Sequence, residues 1–200
     1  NQNMQLQVGG LKFKAGNDFT ARTEQLQPVI DVRNSDIVFV GYGINAPEYN
    51  WNDYENINVE GKTVIVLVND PGFATQNDAL FTGNAMTYYG RWTYKYEEAA
   101  RQGAKAVFIV HETAPAAYPW GVVESSNTGT KYTLMDNNLN ASKLPVMGWL
   151  TLNTTEQIFN AAQLNYQNLK QKALSDDFKA TALNLTANLS FKNEVSHAKS

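Results

Sequence analysis

Two histidines and no cysteine stand among the 200 residues, and that scarcity limits the chemistry available. His111-Glu112 opens like the metalloprotease pattern H-E-x-x-H, in which two imidazoles one helical turn apart hold zinc. The second imidazole would have to be residue 115, which is Pro115, and the segment reads as a strand end rather than a helix. The other histidine, His197, lies in a polar tail. A catalytic zinc needs three protein ligands and an open position. Two scattered histidines and unclustered carboxylates do not assemble that set, so His111 reads as a structural or surface residue. Without cysteine there is no thiol nucleophile, thiolate metal site or disulfide framework. No G-x-S-x-G elbow supports a serine nucleophile, and Ser125-Ser126 falls in a loop with neither histidine placed beside it. Glu97-Glu98 on a helix and Asp176-Asp177 beside a helix end read as solvated surface. Gly41-Tyr-Gly43-Ile-Asn-Ala46 matches the dinucleotide pattern G-x-G-x-x-A, which works only where a helix N-terminus opens to hold the pyrophosphate. Pro47-Glu-Tyr-Asn follows instead, so these glycines read as the bend at a strand end. No catalytic residue, metal ligand or cofactor site is expected in this chain.

What stands out is aromatic. Phe81, Tyr88, Tyr89, Trp92, Tyr94 and Tyr96 crowd one short stretch with Arg91 in their midst, and Tyr49, Trp51 and Tyr54 form a smaller group. Amphipathic rings beside Arg are favoured where a surface meets a partner. The competing reading is that long loops wrap back over a sheet and need large rings to pack. On the first reading, Tyr88, Tyr89, Arg91, Trp92 and Trp51 are the candidate contacts.

These residues need elements to hold them. Leu6-Gln-Val8 and Leu11-Lys-Phe13 alternate around Gly9-Gly10, a hairpin signal. Val29 to Val32 and Ile37 to Val40 read as two strands parted by a turn at Asn34-Ser35-Asp36, followed by a loop from Gly41 to Gly61. Thr63 to Val68 is a continuous apolar run, as expected for a strand covered on both faces. A long connection from Asn69 to Gly90 leads to a helix over about 91–102, with Trp92, Tyr96, Ala99 and Ala100 on one face. Gly103 is placed to end that helix in the left-handed conformation. Ala106 to Val110 is a second buried strand, completing a βαβ unit. A loop-rich stretch, 114–142, precedes a short strand at Leu144 to Met147. Thr154-x-x-Gln157 fits a capping box for a helix with Ile158, Phe159 and Ala162 inward. A short helix follows over about 166–173. Leu183, Leu185, Ala187, Leu189 and Phe191 then alternate with polar residues as a half-exposed strand. The fold class is therefore β-rich α/β: a mixed sheet curling towards a barrel or sandwich, flanked by two or three helices.

Composition narrows the partners. A formal charge of −3 without a basic cluster argues against nucleic acid. No apolar run is long enough to span a bilayer. Asn1 to Val8 lack the cationic and apolar regions of a signal peptide, so any export signal is expected to have been removed or to lie upstream. Sequons at Asn140, Asn153, Asn184 and Asn188 are expected by chance in a chain so rich in Asn and Thr.

Four segments carry a family resemblance. Val38-Phe-Val-Gly-Tyr-Gly-Ile-Asn-Ala-Pro-Glu-Tyr-Asn-Trp-Asn-Asp-Tyr54 resembles the opening segment of protease-associated domains in bacterial zinc aminopeptidases. Val59 to Gly72, Met86 to Ala104 and Val107 to Thr113 continue it in order, and the resemblance runs from about residue 25 to 195. The looser domain signature reads here as Gly61-Lys-Thr-Val-Ile-Val66 and Ala99 to Ile109. The resemblance implies a protease-associated domain over 26–192, N-terminal strands over 1–25 that join it, and a linker over 193–200 towards a catalytic domain outside this chain. It implies a secreted or periplasmic parent whose two zinc ions sit in that catalytic domain. The family's metal-binding segments, an H-x-D, a Glu-Glu pair and a late His, have no counterpart here. The implied work is that of a lid or recognition module for peptide or protein substrates, in contact with the catalytic domain of the same polypeptide. In that reading the backbone amides opening the 91–102 helix meet a substrate carboxylate. The alternative is a stand-alone protein- or glycan-binding domain.

Overall fold

The computed structural model describes residues 4–196. His197, the last residues of the expected linker and the first three residues of the chain lie outside the described residues.

The Gly9-Gly10 signal holds. Both glycines take positive φ, and β1 (Gln5–Val8) folds back on β2 (Leu11–Lys14) with Val8 opposite Leu11. After β3 (Phe19–Arg22) the chain enters β4 (Val29–Phe39), a single eleven-residue strand where the sequence suggests two. Asn34 does adopt left-handed φ of 48°, but it sits at a register shift opposite β10 (Thr181–Lys192), and its amide donates to Asn188 Oδ1 at 2.9 Å. The turn residues form a bulge, because a partner strand captures the backbone that a turn would leave free.

A small hairpin, β5 (Asn45–Ala46) and β6 (Trp51–Asn52), occupies the expected loop. The chain then runs through β7 (Thr63–Leu67), α1 (Pro71–Thr75), a 3-10 turn at Tyr88–Gly90, α2 (Trp92–Arg101) and β8 (Ala106–His111). Gly103, at φ 78°, ends α2 as expected. Two short helices follow, α3 (Thr113–Ala116) and α4 (Trp120–Ser126), in a stretch that reads as loop because neither is long enough to show periodicity. The next strand, β9 (Val146–Thr151), extends beyond its expected end. It leads into α5 (Leu152–Ala161), which is capped not by Thr154 but by Thr151, whose side chain accepts from the Thr154 amide at 3.1 Å. Then comes α6 (Tyr166–Lys172), capped by Asn165. Six helices thus flank the sheet, where the sequence suggests two or three.

All strands but the small hairpin form one eight-stranded mixed sheet, in the order β2-β1-β10-β4-β7-β8-β9-β3. The run β4, β7, β8, β9 is parallel, and the other pairs are antiparallel. The two ends of the order, β2 and β3, are joined by residues 15–18, with a bridge between Ala15 and Phe19, so the sheet curls until it nearly closes into a barrel. In β7, Ile65 and Leu67 enter one core with Phe39, Phe108 and Phe159, while Val64 and Val66 enter a second with Tyr96, Ala99 and Ile109. Both faces are covered, which is why the sequence shows a run rather than an alternation. β10 keeps the alternation, with Leu183, Ala187, Leu189 and Phe191 buried.

Candidate functional site

In open parallel sheets, ligands gather outside the carboxyl ends of the strands. Here those ends deliver Gly41-Tyr-Gly43 after β4, Asn69-Asp70 after β7, His111-Glu112 at β8 and Thr151 at β9. Gly41 and Gly43 take φ of 57° and 63°, and they bend the strand end rather than cradle a phosphate.

A buried polar hub lies beneath these loops. Lys95 of α2 is fully buried, and its ammonium donates to the Asn69 carbonyl at 2.8 Å. Asp53, 4% exposed, accepts from the Ile44 amide at 3.0 Å and from the Trp51 indole at 2.9 Å. Asp70 accepts from the amide and hydroxyl of Thr87 through Oδ2 at 3.0 and 2.7 Å, and its buried Oδ1 has no partner among the described residues. Burial pushes the Asp53 carboxyl up and the Lys95 ammonium down, and their mutual attraction opposes both shifts. Burial also raises the Tyr42 hydroxyl, reinforced by Glu112, Asp70 and Asp53. The hub ties the 42–54 loop, the 69–70 strand end and Thr87 to α2, giving the long connections fixed anchors.

Two clefts open beside the hub. The first, of about 340 Å³, lies at the start of α2 and is lined by Val68, Met86, Arg91, Trp92, Ala116 and Tyr118 among others. Trp92 is 41% and Met86 42% exposed, and the Arg22 guanidinium lies 6.0 Å from the Trp92 ring centre. Arg91 is exposed and has no ion-pair partner among the described residues. The first-turn amides of α2 have no partner within the helix, as at any helix start, and Arg91 supplies no side-chain cap.

The structure therefore brings Arg91 and Trp92 together and sets the other three candidates apart from the cleft lining. Tyr88 is exposed, and its hydroxyl donates to Glu97, a bond that raises its pKa. Tyr89 is half-buried, with its edge against Tyr49, Phe81 and Tyr94. Its hydroxyl donates to Glu48, which pushes it up to about 12. Trp51 is 3% exposed and packs on Phe81, itself sealed from solvent. Packing thus accounts for the inner rings, while Trp92 and Tyr88 remain at the surface.

The second cleft, of about 320 Å³, lies on the other side of α3. His111, Glu112, Pro115, Trp120, Thr151 and Leu152 line it among others. His111 is 5% exposed, its Nε2 held 2.9 Å from the Tyr118 carbonyl and its ring packed against Trp120 and Trp149. Glu112 accepts from the Tyr166 hydroxyl at 2.9 Å and pairs with Lys170 at 2.6 Å. No sequence motif marks this cleft, since its residues come from the ends of two strands and from helices too short to recognise.

Further expectations change on the structure. Glu97 is exposed, but Glu98 is 4% exposed and held by Arg101 and Gln102. Ser125 and Ser126 lie in α4, donating to the Val122 and Val123 carbonyls rather than standing free in a loop. The Asn140 sequon is closed to modification, because its side chain is buried against the Glu24 and Leu134 carbonyls. Among the described residues, no three His, Cys, Asp or Glu side chains converge as a metal site, and no helix is long and apolar enough to cross a membrane.

No protein-family model matches the sequence, and a comparison with curated proteins gives no match. Among solved structures, the chain is similar to an aminopeptidase from Aneurinibacillus sp. strain AM-1, at 18% identity and a TM-score of 0.39. The similarity covers 94% of this chain and 33% of the aminopeptidase, so the chain spans about a third of that protein's length.

Proposed function

We propose that this chain is a non-catalytic recognition domain of the protease-associated kind, holding peptide or protein segments in the cleft at the start of α2. In this reading it serves as a lid or substrate-recognition module beside the catalytic domain of a secreted or periplasmic aminopeptidase. The two zinc ions and peptide-bond cleavage belong to that catalytic domain. The parentage rests on the resemblance in residues 38–54, 59–72, 86–104 and 107–113.

The observation that carries the binding half is one cleft lined by Arg91, which has no ion-pair partner among the described residues, beside exposed Trp92 and Met86. Arg and Trp are the side chains that dominate binding surfaces, one by forked charge-assisted hydrogen bonds and one by apolar area. A peptide presenting a carboxylate next to an apolar side chain matches this pair, with the first-turn amides of α2 adding donors. Exposed Trp92 and Tyr88 also suit stacking on a sugar ring, so an oligosaccharide belongs in the same titration.

Calorimetric titration of this chain with acidic-apolar peptides tests the reading. Arg91→Ala and Trp92→Ala are each expected to weaken binding at least about ten-fold. Arg91 is exposed, so Arg91→Ala should leave folding stability within about 0.5 kcal/mol of the parent, whereas Trp92→Ala also loses packing on Tyr96. Undiminished peptide binding by both variants would remove the cleft from the account, and tighter binding of the oligosaccharide would favour the glycan reading.

A further inference from the structure

We infer that the second cleft, between α3 and the start of α5, is a binding site for a free α-amino acid with an apolar side chain. The inference is independent of the α2 cleft, and four observations converge on it.

The first is an imidazole with one nitrogen to spare. A carbonyl can only accept, so the bond to Tyr118 places a proton on Nε2, and in the neutral imidazole Nδ1 carries the lone pair. Nδ1 has no hydrogen-bond partner among the described residues. It is also absent from the sealed, unpartnered polar atoms, which are Thr20 Oγ1, Tyr54 OH and Asp70 Oδ1. A residue 5% exposed that lines a cleft and retains a free acceptor can offer it to a donor from a ligand.

The second is the start of α5. This ten-residue helix opens at Leu152 on the cleft wall, and Thr151 caps only the Thr154 amide. The Leu152 and Asn153 amides are left as first-turn donors with the positive end of the helix dipole behind them. The third is Glu112, whose oxygens each take one partner and keep lone-pair capacity for a second donor. The fourth is the apolar wall of Pro115, Trp120 and Leu152.

Donors for a carboxylate, acceptors for an ammonium and an apolar wall in one cleft lining describe a zwitterion with a hydrophobic side chain. A simple anion would meet the Glu112 carboxylate and leave the apolar wall uncovered. A cavity of about 320 Å³ holds one such residue, and it sits at the small end of the ~300–1,000 Å³ range of small-molecule sites.

The test is an NMR titration of the labelled whole chain with L-leucine, N-acetyl-L-leucine, L-leucinamide and acetate. Expected are saturable shifts centred on the amides of Thr113, Leu152 and Asn153 and on the Trp120 indole. The two blocked analogues and acetate should bind at least about ten-fold more weakly, each lacking one set of charge-assisted bonds. Leu152→Pro removes one amide donor at the first helical position, where proline fits. Thr151 before it already holds the extended ψ of 156° that proline requires. That variant should keep the fold and lose leucine binding by a similar factor. Acetate binding as tightly as leucine would reduce the cleft to an anion site and overturn the inference. So would the absence of saturable shifts at millimolar leucine, or shifts centred elsewhere. The analogues decide the matter on the unmodified protein if the proline variant does not fold.

Discussion

Replacing Lys95 with methionine tests whether the buried hub holds the carboxyl-end loops as described. The side chains are similar in length, so the substitution removes charge and hydrogen bonding with little change in packing volume. It deletes the 2.8 Å bond to the Asn69 carbonyl and leaves Asp53 and Asp70 buried without a cation. Leaving a buried acceptor without its donor costs about 1–3 kcal/mol. With urea slopes of about 1–3 kcal/mol per molar, the midpoint should fall by about 1 M at pH 8.

The pH dependence supplies the stricter check. Burial raises the Asp53 carboxyl from 3.8 to about 7 in the fold, so the folded state binds a proton that the unfolded chain releases. A group raised in this way contributes stability in acid and loses it as pH climbs through about 7. Without Lys95 the carboxyl rises further, so the variant gains more than the parent on acidification. The parent also carries a cost at low pH, where burial disfavours the charged Lys95 ammonium, and methionine removes that cost. Both effects act in one direction, and the deficit of Lys95→Met should be larger at pH 8 than at pH 5. Urea melts at the two pH values, followed by tryptophan fluorescence, measure it. A variant as stable as the parent at pH 8, or a deficit that grows on acidification, would refute the reasoning.

Two further substitutions probe local geometry. Gly43→Ala places a Cβ at a backbone φ of 63°, only 2.8 Å from Val66 Cγ1. The left-handed conformation alone costs a non-glycine residue about 1–2 kcal/mol, so a loss at least that large is expected in urea melts, and no loss would contradict the bend. Thr151→Ala removes the cap of α5 and should cost about 1 kcal/mol, with Thr151→Ser restoring most of it, as read by thermal melts.

The sheet was largely legible before any coordinates. Apolar runs at Thr63 to Val68 and Ala106 to Val110 became the parallel pair β7 and β8, and the alternation ending at Phe191 became β10. Glycine pairs and helix stops were equally readable, because positive φ is a local demand that few residues meet. The Asn34 region misled because turn chemistry and bulge chemistry share one backbone conformation, and a distant Asn188 decides between them. Glu98 misled, and nothing marked Lys95 as buried, because a helix wheel reports the face towards the sheet and not the loops that close over its flanks. Within the aromatic groups, composition could not separate Trp51, in the core, from Trp92, at the rim of a cleft.

Sequence by itself determined which strands are buried on two faces, where the hairpin and helix stops fall, and that no thiol chemistry is available. Each follows from a residue's own volume, polarity or backbone freedom, sampled over neighbours a few positions away. Tertiary structure alone decided that β4 runs unbroken, that a lysine stands in the core, and that His111, Glu112 and the start of α5 share a cleft. Those outcomes depend on contacts between segments tens of residues apart. Loop closure and strand pairing settle such contacts, and a local pattern carries no record of them.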